Sequence, residues 1–247
     1  MSIESERDFT GLMRAGRVVS LTLREMQRHL RPGMTTGELD AVGAEVFERH
    51  GAQSAPQLVY GFPGVTLISL NDEAIHGIPG ERVIQAGDLV KIDVTAELDG
   101  YIADAAVTVA LPPASSLKRR LRNCAESAFQ KAIQNAQAGR PINAVGRAVE
   151  AEVRRQRFSV IAGLCGHGVG REIHEDPSVL NFYDPGSTQR LTEGLVITIE
   201  PIISSGSGQY VEDADGWTLK TADGSLSAHY EHTVVITRGR PILLTAA

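Results

Sequence analysis

The sequence has 247 residues, of which 42% are hydrophobic and 22% charged, enough to bury a sizeable core. Its formal net charge of -6 argues against a basic face for nucleic acid or an anionic membrane. No apolar run reaches the length of a membrane span, and the segment Met1–Arg7 lacks the apolar core of a signal peptide. The two cysteines, Cys124 and Cys165, are too few for a disulfide framework. We therefore expect a cytoplasmic protein.

The chain begins with two predicted helices. Apolar residues recur at helical spacing over 8–30, and Arg31-Pro32-Gly33 stops that helix. Thr35 is placed to cap a second helix, with Glu38 in its first turn. This helix runs to about His50, where Gly51 ends it.

Strands and further helices follow. Strand-like segments cover Val65–Leu70, Leu89–Leu98 and Tyr101–Leu111. Asp99-Gly100 between the last two is a strong signal for a two-residue hairpin turn. Helical patterns cover about 116–138 and 143–157, and the chain is rich in strand patterns from Phe158 onward.

A faint internal repeat links the two halves of the sequence. Gly87–Asp93 resembles Gly194–Glu200, and Ala44-Glu45-Val46 recurs as Ala151-Glu152-Val153, both at an offset of 107 (194 − 87 and 151 − 44). Two matches at one offset indicate two related α-plus-β halves, with Asp93 and Glu200 in equivalent places. Since no linker interrupts the sequence, we expect one catalytic domain over residues 1–247.

The predicted hairpin carries two aspartates, Asp93 on its first strand and Asp104 on its second. With a two-residue turn at Asp99-Gly100, paired residue numbers add to 199, so Asp93 is opposite Ala106 and Asp104 is opposite Thr95. Asp93 and Asp104 then lie on one face as diagonal neighbours, roughly 7–8 Å apart at the backbone. Cations between them would offset the repulsion and desolvation of two carboxylates. A solvated strand residue is the competing interpretation for either aspartate alone.

Three more potential metal ligands follow. His167 lies among three glycines, Glu200 ends an apolar strand, and Glu231 precedes another. A structural role for His167 remains the alternative. Four carboxylates and one imidazole favour divalent ions such as Mn(II), Fe(II) or Co(II), and they carry more charge than one ion balances. The set therefore favours two metals that activate a water and stabilise an oxyanion.

These ligands belong to a series of motifs that resembles the type I methionine aminopeptidases. The motifs are Ser69-x-Asn71 before His76-Gly77-Ile78-Pro79, Ile92-Asp93-Val94-Thr95, Gly166–Gly170, His174-Glu175-x-Pro177, Thr198–Pro201 and Tyr230–Thr233. They occur in order over positions 69–233. The resemblance implies an α/β (α+β) pita-bread fold, with two pseudo-symmetric halves around a central antiparallel sheet and a dinuclear metal site.

The resemblance also implies a reaction: removal of the N-terminal methionine of nascent proteins, preferably before a small second residue, by attack of a two-metal-activated water on the scissile carbonyl. Asp104 and Glu231 would bridge both metals, Asp93 would chelate one, and His167 and Glu200 would hold the other. Glu200 would also act as general base. His174 would hydrogen-bond the scissile carbonyl, and His76 would contact the substrate backbone. The ions would be Co, Mn, Fe or Zn.

An apolar pocket should hold the methionine side chain. By position, the candidates to line it are Val59, Phe62, Leu67, Ile173 and Trp217. Family members often carry Tyr and Cys near where Val59 and Leu67 stand, so the details of this pocket differ. The remaining histidines are not assigned a direct role: His29 and His50 lie near helix C-termini, and His229 and His232 flank Glu231 in a strand. His232 could support a ligand from behind, but we do not expect it to bind metal directly.

Two alternatives remain. One is a proline-specific aminopeptidase or prolidase, but those relatives usually carry an additional N-terminal domain, and this chain reaches its first helix by residue 8. The other is a binding protein that kept the fold and lost its metals, against which the full ligand set argues. We expect a monomer without an N-terminal zinc-finger extension, whose partners are nascent N-termini and, transiently, the ribosome.

Overall fold

The structure of the protein is a computed structural model that describes residues 1–246. Five helices lie in this range: α1 (Glu6–His29), α2 (Thr36–His50), α3 (Ala55–Tyr60), α4 (Ser116–Ile133) and α5 (Asn143–Arg155). The first strands are β1 (Gln53–Ser54), β2 (Leu67–Leu70), β3 (Glu73–Ile75), β4 (Leu89–Leu98) and β5 (Tyr101–Ala110). After α5 come β6 (Ser159–Val160), β7 (Gly166–Gly168), β8 (Glu175–Val179), β9 (Val196–Ile199), β10 (Ile202–Ser204), β11 (Tyr210–Glu212), β12 (Leu219–Thr221), β13 (Ser227–His229), β14 (His232–Val235) and β15 (Ile242–Leu243).

Local sequence signals set the ends of helix α2. The Thr35 hydroxyl accepts from the backbone N–H of Glu38, whose side chain accepts from the Thr35 N–H, which forms a capping box. Gly51 follows the helix with φ 68, a left-handed conformation that glycine adopts without steric cost. The prediction of this helix is confirmed at both ends.

The β4–β5 hairpin is the longest strand pair described. Asp99 (φ 53) and Gly100 (φ 82) form its turn, as the two-residue signal predicted. The predicted register is also confirmed, because Asp93 pairs with Ala106 and Thr95 pairs with Asp104. Helix α1 packs against both strands, and its buried Leu12 and Met26 belong to the apolar core that the hairpin shares.

The strands are antiparallel and form four hydrogen-bonded sheets within residues 1–246. In one sheet β4 pairs with β1, β2 and β5, and in the largest the order is β15-β14-β9-β7-β8. These two sheets meet where β5 approaches β14. There the backbone N–H of Glu231 donates to the Ala106 carbonyl at 2.9 Å. The meeting point therefore joins the two halves of the chain.

The repeat predicted from the sequence is visible in the element boundaries. Helices α2 and α5 begin at Thr36 and Asn143, and strands β4 and β9 begin at Leu89 and Val196; 143 − 36 and 196 − 89 are both 107. Each half has its own apolar core, around Ile92 in the first and around Phe129 and Ile197 in the second.

The main differences from the sequence prediction concern helices α3, α4 and α5. Helix α4 ends at Ile133, before the predicted 138, because the chain turns there to let Ala138 donate to the Thr237 carbonyl. Helix α5 ends at Arg155. The short helix α3 was not predicted: its Ser54 cap, which accepts from the N–H of Gln57, lies in a segment too short to show helical periodicity. No helix within residues 1–246 has the length and apolarity of a membrane span.

Candidate active site

The two hairpin aspartates lie on the face of the β4–β5 pair that the sequence predicted. Asp93 is partly buried and Asp104 is buried, and both line a common cavity. Burial raises the pKa of Asp104 to about 6, although a hydrogen bond from Thr95 acts in the opposite direction. Burial and the negative charges of Asp104 and Glu200 raise the pKa of Asp93 well above its usual range. The strand pair thus holds two carboxylates where both cannot ionise without compensation.

Glu231 approaches these aspartates from the other half of the chain. Its backbone N–H donates to Ala106, the register partner of Asp93. Its side chain is 1% exposed, and burial together with the charges of Asp104 and Glu200 raises its pKa. The junction between the two sheets therefore places this carboxylate beside the hairpin.

His167 and Glu200 form the opposite wall of the cluster. The Nε2 of His167 lies 3.4 Å from Oε1 of Glu200. The Thr198 hydroxyl holds both, since it donates to Glu200 at 2.8 Å and accepts from the backbone N–H of His167 at 3.0 Å. His167 Nδ1 is 2.9 Å from the Gly168 carbonyl, which can only accept, so Nδ1 carries the proton and the Nε2 lone pair is free.

The donor set suits divalent metal ions. Asp93 Oδ1, Asp104 Oδ1 and Glu231 Oε1 are buried and have no hydrogen-bond partner among the described residues. Unpaired buried carboxylate oxygens are costly, and a cation removes that cost. One group of atoms able to share an ion comes from Asp104, His167 and Glu231, all within 4.8 Å of one another. Oxygen donors with one imidazole match Mn(II), Fe(II), Co(II) or Zn(II).

Two further histidines reach the same cavity. His174 stacks edge-on against His167, with ring centroids 4.3 Å apart, and its Nδ1 lies 2.6 Å from the Tyr60 hydroxyl. His76 follows β3 in a left-handed conformation (φ 61) that non-glycine residues rarely adopt. Burial lowers the pKa of His174. Burial, together with repulsion from His174 when that ring is protonated, lowers the pKa of His76 to about 4. Both imidazoles are therefore neutral near pH 7.

The cavity that holds the carboxylate cluster also has apolar walls. The cavity has a volume of about 910 Å³. Phe62 and Trp217 meet edge to face, with ring centroids 5.2 Å apart, and Leu67 and Ile173 complete the apolar lining near them. Four of the five residues predicted for a methionine pocket thus line one cavity.

Val59 is the exception, and its prediction is corrected. It is 52% exposed, and the neighbouring Tyr60 lines the cavity in its place. Successive residues of a helix point about 100° apart, so in the short helix α3 only one of these two side chains faces the cavity. The sequence did not reveal α3 and therefore gave no basis for choosing between them.

His229, which was assigned no direct role from the sequence, lies within the carboxylate cluster. Its Nε2 is 3.5 Å from Glu231 Oε2 and 3.7 Å from Glu200 Oε2. The alternation of strand side chains could have indicated this position, because His229 and Glu231 are two residues apart. His232 lies outside the cluster, where Nδ1 contacts the Thr245 hydroxyl at 2.8 Å. The expectation that His232 is not a ligand agrees with that position.

Comparison with known proteins places this geometry in a family. Residues 10–238 match metallopeptidase family M24. Methionine aminopeptidase 2 of Bacillus subtilis is 47% identical over 247 residues, which cover 99% of each chain. The crystal structure of methionine aminopeptidase from Thermotoga maritima superimposes with a TM-score of 0.96 at 34% identity and covers 100% of both chains. Prolidase from Pyrococcus furiosus shares the fold, with a TM-score of 0.78 at 22% identity over 99% of this chain and 65% of that one.

The chain belongs to metallopeptidase family M24, whose members depend on divalent metal ions. Within that family it groups with the methionine aminopeptidases, which match it from end to end. The sequence-based resemblance and the pita-bread α/β fold are thereby confirmed.

Proposed function

We propose that the protein is a methionyl aminopeptidase that holds two divalent metal ions and releases methionine from the N-termini of peptides and new proteins. The observation that carries the proposal is the convergence of four carboxylates and His167 at one end of an apolar cavity. In this proposal the two ions would be held by five side chains: Asp104 and Glu231 would be shared by both ions, Asp93 would serve one, and His167 and Glu200 would serve the other.

The proposed roles follow from the positions of the side chains. Bound divalent ions would supply Lewis acidity at the scissile carbonyl and lower the pKa of the attacking water. Glu200 takes the proton from that water, since its carboxylate is held at the cluster by the Thr198 hydroxyl. His174 donates a hydrogen bond to the carbonyl oxygen as negative charge develops there.

The rest of the substrate is held by neighbouring groups. His76 contacts the peptide backbone beyond the scissile bond, and its rare backbone conformation fixes the ring at the cavity wall. The methionine side chain packs against Phe62, Leu67, Ile173 and Trp217. These apolar contacts select for a thioether chain through burial, to which methionine adapts well.

The proposal extends to substrates and setting. A small second residue is preferred, in line with the resemblance to the methionine aminopeptidases. The protein acts in the cytoplasm as a monomeric, one-domain enzyme on nascent chains, with a transient contact to the ribosome. Prolyl specificity is the competing function, because prolidases share the fold.

Peptide hydrolysis by the metal-stripped protein tests the proposal. Release of methionine from Met-Ala-Ser and of glycine from Gly-Pro-Ala is measured while Mn(II), Fe(II) or Co(II) is titrated back. We expect metal-dependent cleavage of Met-Ala-Ser alone, and loss of at least about a hundredfold in Glu200→Gln, the usual range for a general base.

Other outcomes contradict specific parts of the proposal. Cleavage of Gly-Pro-Ala would assign the site to the prolyl relatives. Absence of cleavage with bound metal would leave only a binding role. Full activity of Glu200→Gln would remove the proposed general base.

A further inference from the structure

His229 occupies a position in the cluster that the proposed ligand set does not use. It ends strand β13, where Ile202 of β10 pairs with it. The Thr108 hydroxyl holds its backbone from both sides, accepting from the His229 N–H at 2.9 Å and donating to the His229 carbonyl at 2.7 Å. The residue is 2% exposed. Its backbone is therefore fixed in place by strand pairing and by the two buried hydrogen bonds to Thr108.

The imidazole of His229 makes no hydrogen bond within the described residues. Both Nδ1 and Nε2 are buried and unpaired. The distances from Nε2 to Glu231 Oε2 (3.5 Å) and Glu200 Oε2 (3.7 Å) exceed the range of an N–H···O bond, which ends near about 3.2 Å. A buried imidazole aimed at two carboxylates without bonding to either has an incomplete set of partners.

These distances suit ligands that share a metal ion. Two donors that each lie about 2.0–2.2 Å from one ion are separated by about 3–4 Å in tetrahedral or octahedral geometry. The expected pair His167 and Glu200 has that spacing, at 3.4 Å. Atoms of Asp93, His229 and Glu231 all lie within 4.8 Å of one another, as do those of Asp104, His167 and Glu231. His229 thus has a spacing to Glu231 and Glu200 similar to that of His167 to Glu200.

We propose that His229 Nε2 is a sixth protein ligand of the metal centre and binds the ion held by Asp93 and Glu231. This inference rests on the proposed two-metal function. Each ion then has one imidazole, from His167 or from His229, in addition to carboxylate oxygens. Imidazole favours Fe(II), Co(II) and Zn(II) over the harder Mn(II), so His229 raises the preference of this site for the borderline ions.

X-ray absorption of the Co(II)-loaded protein counts the imidazoles directly. We expect an average of about one imidazole per ion in the wild type and about one-half in His229→Gln, because one of two nitrogen ligands is lost. Calorimetric titration of the stripped proteins should show Co(II) affinity at one site falling at least about tenfold in His229→Gln, with a smaller fall for Mn(II). His232→Gln is the matched control: it also removes a buried imidazole, but one bonded to Thr245, and it should keep both values.

The outcomes separate the two proposals. A wild type that binds two ions with one-half imidazole per ion, and unchanged affinity in His229→Gln, would overturn the role of His229 and leave the proposed function intact. A wild type that binds no ion would overturn both. If His229→Gln does not fold, His229→Ala is titrated with Co(II) in the presence of free imidazole instead. Recovery of Co(II) affinity at the weakened site would support the proposal. An affinity that does not change with imidazole would contradict it.

Discussion

The side-chain hydroxyl of Thr233 hydrogen-bonds both the backbone N–H and the backbone carbonyl of Asp104. Oγ1 accepts from the Asp104 N–H at 2.9 Å and donates to the Asp104 carbonyl at 2.8 Å. All of these groups are buried, and the two residues belong to different sheets. One side chain thus fastens the second half of the chain to the strand that carries a proposed bridging ligand.

We expect Thr233→Val to destabilise the protein by about 1–3 kcal/mol, because it leaves a buried N–H and a buried carbonyl without a partner. Chemical denaturation of the metal-free protein measures the change, with exposed Thr10→Val as a control of the same chemistry. A Thr233→Val protein as stable as the wild type would show that this junction does not depend on the hydroxyl.

Asp104→Asn should alter how the stability of the metal-free protein depends on pH. Burial raises the folded-state pKa of Asp104 from 3.8 to about 6, so between these values the folded protein binds more protons than the unfolded one. The contribution of Asp104 to the free energy of unfolding is fully present below the unfolded-state pKa of 3.8, and it is lost as the pH rises through the folded-state pKa of about 6. A shift of this size corresponds to roughly 3 kcal/mol.

The metal-free Asp104→Asn variant should therefore be more stable than the metal-free wild type at pH 7, and the two should converge near pH 4. Thermal midpoints measured in chelator across this range test the prediction. Added Co(II) should reverse the order at pH 7, since the wild type alone keeps the charged ligand. Parallel pH profiles for the two proteins would contradict the assignment.

Tyr60→Phe should lower kcat for Met-Ala-Ser by about fivefold to tenfold, the value of one hydrogen bond. When the Tyr60 hydroxyl donates to His174 Nδ1, the proton of His174 resides on Nε2, from which it can reach a substrate carbonyl. The KM should change little, since the bond acts mainly in the transition state. Tyr183→Phe, at an exposed tyrosine remote from the cavity lining, is the control. An unchanged kcat in Tyr60→Phe would mean that His174 holds its tautomer without help.

Trp217→Ala should raise the KM for Met-Ala-Ser by about tenfold or more, because removing an aromatic wall forfeits about 1.5–3 kcal/mol of apolar contact. Steady-state kinetics measure this effect, and Val59→Ala, outside the cavity, should leave the KM unchanged. If Val59→Ala weakened binding and Trp217→Ala did not, the original assignment of Val59 to the pocket would be restored.

The sequence predicted the hairpin of Asp93 and Asp104 in full, because a two-residue turn and strand alternation determine register locally. It also indicated helix α2, whose capping signals lie within a few residues of each end. The position of His229 depended instead on how β13 packs beside β10 and β5, which involves contacts 121 residues apart, such as that of Thr108. The spacing of His229 and Glu231 indicates that they share a face, but nothing in the local sequence encodes the contact with Thr108. The prediction that Val59 lines the pocket was wrong for a similar reason, because placing Val59 or Tyr60 in the cavity required the orientation of the unpredicted helix α3.

The junction between the halves also orders events during synthesis. Asp93 and Asp104 leave the ribosome long before Glu231 and Thr233, and the backbone contact between Ala106 and Glu231 spans 125 residues (231 − 106). The hairpin and α1 can pair early through local contacts, whereas the loop closure that joins the halves must wait for the segment that carries Glu231 and Thr233. A growing chain of this protein therefore carries only part of the proposed ligand set until Glu231 has been synthesised, which delays metal capture until the cluster can close around the ions.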